Sequence, residues 1–244
     1  FTLAYNLDNY SKVRSSFGTG LRFPSLNEYY FGSSVKDSSS LKPEKSRSFD
    51  FGIDVYDPIK KINLSATIYR INYENYIGSW AKNTDNGNTW VQKNTNAINR
   101  SSGIEILSSW EMQKDLNIDL GYTYSSSHDG STCSNPDDTC NASQNVRIPR
   151  HSIMSSISKK FSNNLTSTIK VKYVGDRRDY GGSDNGFQQV FLNEYLVTNL
   201  YTDYKFYNYN MNFAIKNLFD EDYNEALNYS TPGRSFNYKL RREF

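Results

Sequence analysis

The dominant repeat along the chain is two residues. Across residues 116–124, Leu116, Ile118, Leu120, Tyr122 and Tyr124 alternate with Asn117, Asp119, Gly121 and Thr123. Residues 62–68 set Ile62, Leu64, Ala66 and Ile68 against Asn63, Ser65 and Thr67. Ile169, Val171 and Tyr173 oppose Thr168, Lys170 and Lys172, and Tyr209, Met211, Phe213 and Ile215 oppose Asn210, Asn212, Ala214 and Lys216. This is strand periodicity, with one apolar and one polar face. Short connections at 56–61, 113–115, 162–164 and 206–208 alternate with long polar ones near 24–46, 80–89, 126–146, 178–192 and 218–232. About ten strands follow, each at or above the ~9–11 residues of a tilted membrane-crossing strand, preceded by a fragment at residues 1–6. Loops sorted by length to opposite ends are the mark of an outer-membrane barrel.

Composition agrees with that class. Hydrophobic residues make up 36% of 244 and mean hydropathy is −0.74, which suits a barrel whose strands are half polar. Aromatics reach 15%, too many for a disordered chain. A net charge of +2 offers no nucleic-acid surface. No run of about 18 apolar residues predicts a membrane helix. Tyr69, Tyr73, Tyr76, Tyr122, Tyr124, Tyr201 and Tyr204 fall near strand ends, where barrels place interfacial aromatics. Cys133 and Cys140 flank SNPDDT, a turn sequence, and predict a disulfide hairpin in an oxidising compartment. They lack the second ligand pair of a zinc site.

Four stretches, in order, resemble the C-terminal barrel of TonB-dependent receptors: SSFGTGLRFPSLNEYY (15–30), LKPEKSRSFDFGI (41–53), NTNAINRSSGIEI (94–106) and IKNLFDEDYNEALNYSTPGRSFNYKLRREF (215–244). The resemblance implies a receptor of ~22 strands with a plugged lumen. About ten strands are too few to close that barrel, so residues 1–244 are expected to be its C-terminal half, without the plug and the earlier strands. It also implies TonB-energised uptake of a ferric siderophore or cobalamin across the outer membrane of a Gram-negative bacterium. Expected partners are outer-membrane lipid, the TonB complex through an N-terminal region, a metal chelate or cobalamin, and the barrel-assembly machinery. No cofactor or metal site is expected.

In the family, ligand is captured by the plug and the extracellular loops. The resemblance therefore implies ligand contacts from Tyr29, Tyr30 and Phe31 in the first long loop, Trp80 and Trp90 around the second, and Arg177, Arg178 and Tyr180 at the fourth. Aromatics and arginines suit a bulky anionic chelate. Arg14, Gly18, Gly20 and Arg22 share the polar face of their strand and are expected to form a wall facing the plug. Phe236, Tyr238, Leu240 and Phe244 share one face of the last strand, the usual finish of an outer-membrane protein and the expected contact for assembly. The alternative is a passive pore closed by these strands alone. An enzyme is not expected, because His128 and His151 stand apart from any convergent acid, base and nucleophile. Loop acids such as Asp137, Asp184 and Asp220 lack calcium-ligand spacing.

Overall fold

The computed structural model describes residues 1–29, 41–83, 89–95, 99–129, 143–181 and 189–243. Tyr30, Phe31, Cys133, Cys140 and Phe244 lie outside the described residues, and with them the expected disulfide. Strand β1 (Thr2–Asn6) is followed by β2 (Ser11–Arg22), a one-turn helix α1 (Leu26–Tyr29), β3 (Glu44–Asp57), β4 (Ile62–Glu74), β5 (Tyr76–Asn83) and β6 (Thr89–Thr95). Then come β7 (Asn99–Gln113), β8 (Leu116–Asp129), β9 (Ser143–Gln144), β10 (His151–Ser162), β11 (Leu165–Val174) and β12 (Arg177–Tyr180). The chain finishes with β13 (Gln189–Leu192), β14 (Tyr195–Phe206), β15 (Tyr209–Lys216) and β16 (Ser235–Arg242).

One antiparallel sheet runs β1-β2-β3-β4-β7-β8-β10-β11-β14-β15-β16, with β9 extending β8. Leaving aside the leading β1, it holds the ten strands that the alternation predicts. Tight turns join them where the sequence is shortest. Asp57 Oδ1 accepts from the amides of Ile59 and Lys60, both at 2.9 Å, and Asp115 and Tyr207 take left-handed φ of 65° and 49°.

The register separates the two faces. Ile53, Ala66, Ile106, Tyr122, Ile153, Tyr173 and Leu196 form one continuous row across seven strands. Behind it, Arg14, Gly52, Thr67, Glu105, Thr123 and Ser152 form another row on the polar face. Among the described residues the apolar face has no second layer: Phe49, Phe51, Ile68, Ile157, Phe236 and Tyr238 all stay exposed. A soluble sheet would bury such a face. The polar face instead borders a cavity of about 1400 Å³. The only packed hydrophobic cluster among the described residues, Val174, Tyr195 and Val197 with Tyr223, lies at the long-loop end.

Two expectations change. Tyr69, Tyr73 and Tyr201 are not on the outward aromatic girdle; their register with Asp50, Ser46 and Thr168 turns them to the polar face. The connections near 80–89 and 178–192 are not plain loops, because β5–β6 and β12–β13 form separate two-stranded sheets there. Strands β1 and β16 occupy opposite ends of the sheet path, and no ladder joins them. Among the described residues these strands form an open path and do not close a barrel on themselves.

Candidate functional site

Two polar clusters organise the end that carries the long connections. In the first, Ser25 and Glu28 form a capping box: the Ser25 amide donates to Glu28 Oε2 at 2.6 Å and the Glu28 amide to Ser25 Oγ at 3.3 Å. Arg22, at the end of β2, donates to Glu28 Oε1 at 3.0 Å and to both carboxylate oxygens of Glu44, at 2.5 and 2.7 Å. Glu44 is buried and also accepts from the Ile77 amide at 2.7 Å. It thereby ties the β2–β3 connection to the β5–β6 hairpin. Asn94 makes a second tie, accepting from the Lys42 amide at 2.7 Å and donating to the Lys42 and Asn75 carbonyls at 2.9 and 2.6 Å. Tyr29 is half-buried beside this cluster, with its hydroxyl 3.5 Å from the Leu41 carbonyl. Burial pushes the Glu28 carboxyl up, but the bonds from Ser25 and Arg22 outweigh it and hold it below the usual carboxylate range.

The second cluster centres on Asp179, which is fully buried. Its Oδ1 accepts from Arg147 Nε at 2.9 Å and the Tyr180 amide at 2.8 Å, and its Oδ2 from the Leu227 amide at 2.7 Å. One carboxylate thus joins the segment before β10, the β12–β13 hairpin and the connection before β16. Burial raises its pKa; the backbone donors and Arg147 overcome that and leave it lowered. Arg177 is 4% exposed. Its guanidinium donates to the carbonyls of Asn193, at 3.3 Å, and Asn224, and lies 5.1 Å from the Tyr195 ring centroid. Its donors point to carbonyls of the rim connections, which it clamps together. Arg178 lies 5.2 Å from the Phe191 ring, and Tyr180 is 51% exposed. Lys172, Glu225 and Tyr195 complete the group, with Lys172 Nζ 3.1 Å from Glu225 Oε1; the Lys172 bond is the main reason the Glu225 carboxyl is lowered. Trp80 and Trp90 stand on β5 and β6, cross-strand from Gln92 and Lys82.

Below the rim, the polar wall carries its own network. Arg14 reaches across two neighbouring strands, donating to Asp54 at 3.2 Å, Thr67 at 2.6 Å and Ser65 at 3.3 Å. Gly52, directly opposite, leaves room for it: a Cβ there would lie 2.9 Å from Arg14 Cζ. Gly18 and Gly20 share this face and pair with Ser48 and Ser46. Leu107 and Met154 are exposed on the same face, flanking Gly121 in register.

At the chain's end, Phe236, Tyr238 and Leu240 stand on the outward face of β16, opposite Ile215, Phe213 and Met211. Asn217 and Asp220, of the NLFD stretch, fold the connection back. Asn217 brackets Glu221 through both side-chain atoms, and Asp220 Oδ1 accepts from the Arg234 amide at 2.6 Å. His151 bonds the Tyr122 hydroxyl at 3.0 Å on the outward face, away from the polar clusters. Among the described residues, no group of three or more histidine, cysteine or acidic side chains is placed to hold a metal ion.

The sequence missed Asp179, since an isolated polar residue in a long connection carries no periodic signal. Glu44, Asn94, Asn217 and Asp220 lay inside the motif stretches, which did not show the atoms they join; the Ile77 amide bound by Glu44 lies outside all four.

Known proteins share both sequence and architecture. Vitamin B12 transporter BtuB of Vibrio vulnificus is 29% identical over 219 residues, 89% of this chain and 32% of that protein. BtuB of Photobacterium profundum is 23% identical over 96% of the chain and 35% of its own length. The chain therefore spans about a third of these relatives. Two solved structures share its fold along its whole length. The pyoverdine outer-membrane receptor FpvA of Pseudomonas aeruginosa has a TM-score of 0.78 at 19% identity, with 35% of it covered. The ferric-catecholate import receptor Fiu of E. coli K12 has 0.76 at 20%, with 34% covered. The family model for the TonB dependent receptor-like β-barrel matches residues 1–218, and the chain belongs to that family.

Proposed function

We propose that this chain forms the C-terminal part of an outer-membrane receptor that takes up a large, scarce metal chelate, cobalamin or a ferric siderophore, driven by TonB. The rim carries the proposal. Asp179, Arg177 and Glu44 hold the outer connections in fixed positions above a polar wall, and preorganised loops lower the entropic cost of capturing a bulky ligand. Both sequence relatives named above are vitamin B12 transporters, which favours a corrinoid over an iron chelate. Ligand contacts fall to Tyr29, Tyr30, Phe31, Trp80, Trp90, Arg178 and Tyr180, with Arg177 in support. The plug and the TonB-contacting segment belong to sequence outside this chain. Phe236, Tyr238, Leu240 and Phe244 present the final strand to the assembly machinery.

The test uses the full-length receptor. Equilibrium binding is measured with cyanocobalamin and a panel of ferric siderophores, together with growth on each in cells with and without TonB. One ligand should bind tightly and support TonB-dependent growth. Failure to bind any of them would sink the proposed substrate class, and growth indifferent to TonB would sink the energised mechanism.

A further inference from the structure

The outward face changes character near the rim. Successive cross-strand rows on β3, β4 and β7 read Ile53–Ala66–Ile106, Phe51–Ile68–Ile104, Phe49–Arg70–Ser102 and Arg47–Asn72–Arg100. The first two are apolar, and the last two place three arginines on the same face. Lys45 stands one row further out. Arg47 and Arg70 are exposed and Arg100 half-exposed. Among the described residues, the one carboxylate ion-paired to them is Glu74, 3.1 Å from Arg47. Arg70 Nε bonds the neutral Asn72 at 3.3 Å. The patch is therefore cationic overall.

Its height is informative. Asn72, in the arginine row, lies ten residues beyond Ile62 on β4. At about 3.3 Å per residue and a strand tilt near 40°, that is about 25 Å, the height of a barrel's apolar band. Arg47 and Arg100 therefore stand where the hydrocarbon ends and the headgroups begin, at the long-connection end, with Arg70 about 5 Å below them. This inference rests on the outer-membrane location proposed above.

The geometry points to a binding surface for phosphorylated lipid headgroups of the outer leaflet, built from Arg47, Arg70 and Arg100 on three adjacent strands. Guanidinium forks suit phosphate oxygens, and the exposed Phe49, Phe51, Ile68 and Ile104 directly beneath suit the acyl chains of the same molecule. Neither a free anion nor a soluble protein would use both halves of this surface.

The experiment uses the full-length receptor purified in a mild non-ionic detergent, with phosphorylated lipopolysaccharide as probe and native mass spectrometry and a binding titration as readouts. Replacing the three arginines with glutamine should weaken binding about a hundredfold, since each basic group near a charged lipid surface contributes roughly a factor of five. Replacing them with lysine should restore most of it. Dephosphorylated lipopolysaccharide should bind wild type as weakly as the phosphorylated form binds the glutamine variant. A glutamine variant that folds, judged by heat-modifiable gel mobility, and binds within about threefold of wild type would overturn the site. So would full competition by millimolar inorganic phosphate, which would mark a small-anion site. Fractionation and surface proteolysis score location separately. A receptor outside the outer membrane would sink the functional proposal, whereas a correctly placed one indifferent to the three arginines would sink the lipid site alone.

Discussion

A carboxylate with no exposed surface and three donors is the most constrained group at the rim. Asp179 holds Arg147, Tyr180 and Leu227 through single bonds. Its removal takes the acceptor from the Tyr180 and Leu227 amides, which costs about 1–3 kcal/mol, while the Arg147 side chain, 55% exposed, turns to water. Asp179→Ala should therefore open the rim locally, seen as faster amide exchange at Leu227, while the sheet keeps its protection. Asp179→Asn should be nearly as harmful, because its NH2 must face a donor. The pH dependence has a definite sign. The folded carboxyl titrates below its unfolded value of about 3.9. Its stabilisation is thus complete above that value and lost as pH falls through the folded pKa. Exchange at Leu227, corrected for its intrinsic rate, should rise in acid in wild type and stay flat in Asp179→Asn; a flat wild-type profile would refute the latch. Gly103 is constrained by space. A Cβ there would strike the Tyr124 carbonyl and come within 2.7 Å of the Tyr69 hydroxyl. Tyr69 lies over the glycine, with its hydroxyl 3.4 Å from Ser125 Oγ. Gly103→Ala should destabilise the wall by about 1–3 kcal/mol, the usual penalty for overpacking, measured as a lower unfolding temperature in detergent.

Among the elements, alternation made the ten wall strands and their tight turns legible, because a sheet that is wet on one side and apolar on the other writes its register into every second residue. The β5–β6 and β12–β13 hairpins escaped for the same reason. They stand outside the main sheet, so no apolar face constrains their pattern, and residues 76–83, YIGSWAKN, do not alternate. Aromatic position was misleading where it was judged by distance from strand ends alone. Tyr201 differs from Tyr204 by three residues, an odd number, and so faces the other way, under Lys170 at 5.4 Å. Of the rim, the sequence showed which connections meet but not which atoms join them. Glu44 is the clearest case: Leu-x-Pro-Glu marked the position, while the Ile77 amide, 33 residues away, emerged only from the fold. Glu44→Ala should loosen the β5–β6 hairpin without displacing β3, since the twelve-residue ladder between β2 and β3 does not depend on it. Limited proteolysis of intact cells should then cut within residues 76–95 faster than in wild type; unchanged cleavage would mean that Asn94 holds the hairpin alone.

At the scale of the molecule, an open eleven-strand path with an uncovered apolar face has two needs: lipid against that face, and partners for the edges of β1 and β16. The longer receptor barrel proposed above would meet both. The same argument gives meaning to Gly18 and Gly20. Both are on the cavity side of β2, and the nearest atoms to an added Cβ are the Ser48 and Ser46 hydroxyls, at 2.9 and 2.6 Å. Both hydroxyls are the ends of rotatable side chains, and the Ser48 hydroxyl is held only by a long 3.5 Å bond to the Gly18 carbonyl, so the wall itself tolerates a side chain at either position at little cost. What the glycines keep low is the surface facing the lumen, beside Arg14, which lies along the wall across the gap left by Gly52. A plug pressing against that surface would feel a leucine there, and an open channel would not. In the full-length receptor, Gly18→Leu and Gly20→Leu should leave outer-membrane abundance and heat-modifiable mobility unchanged. They should lower ligand uptake and admit large antibiotics that the sealed receptor excludes. Variants that transport at the wild-type rate and stay sealed would show that the two glycines serve only the strand.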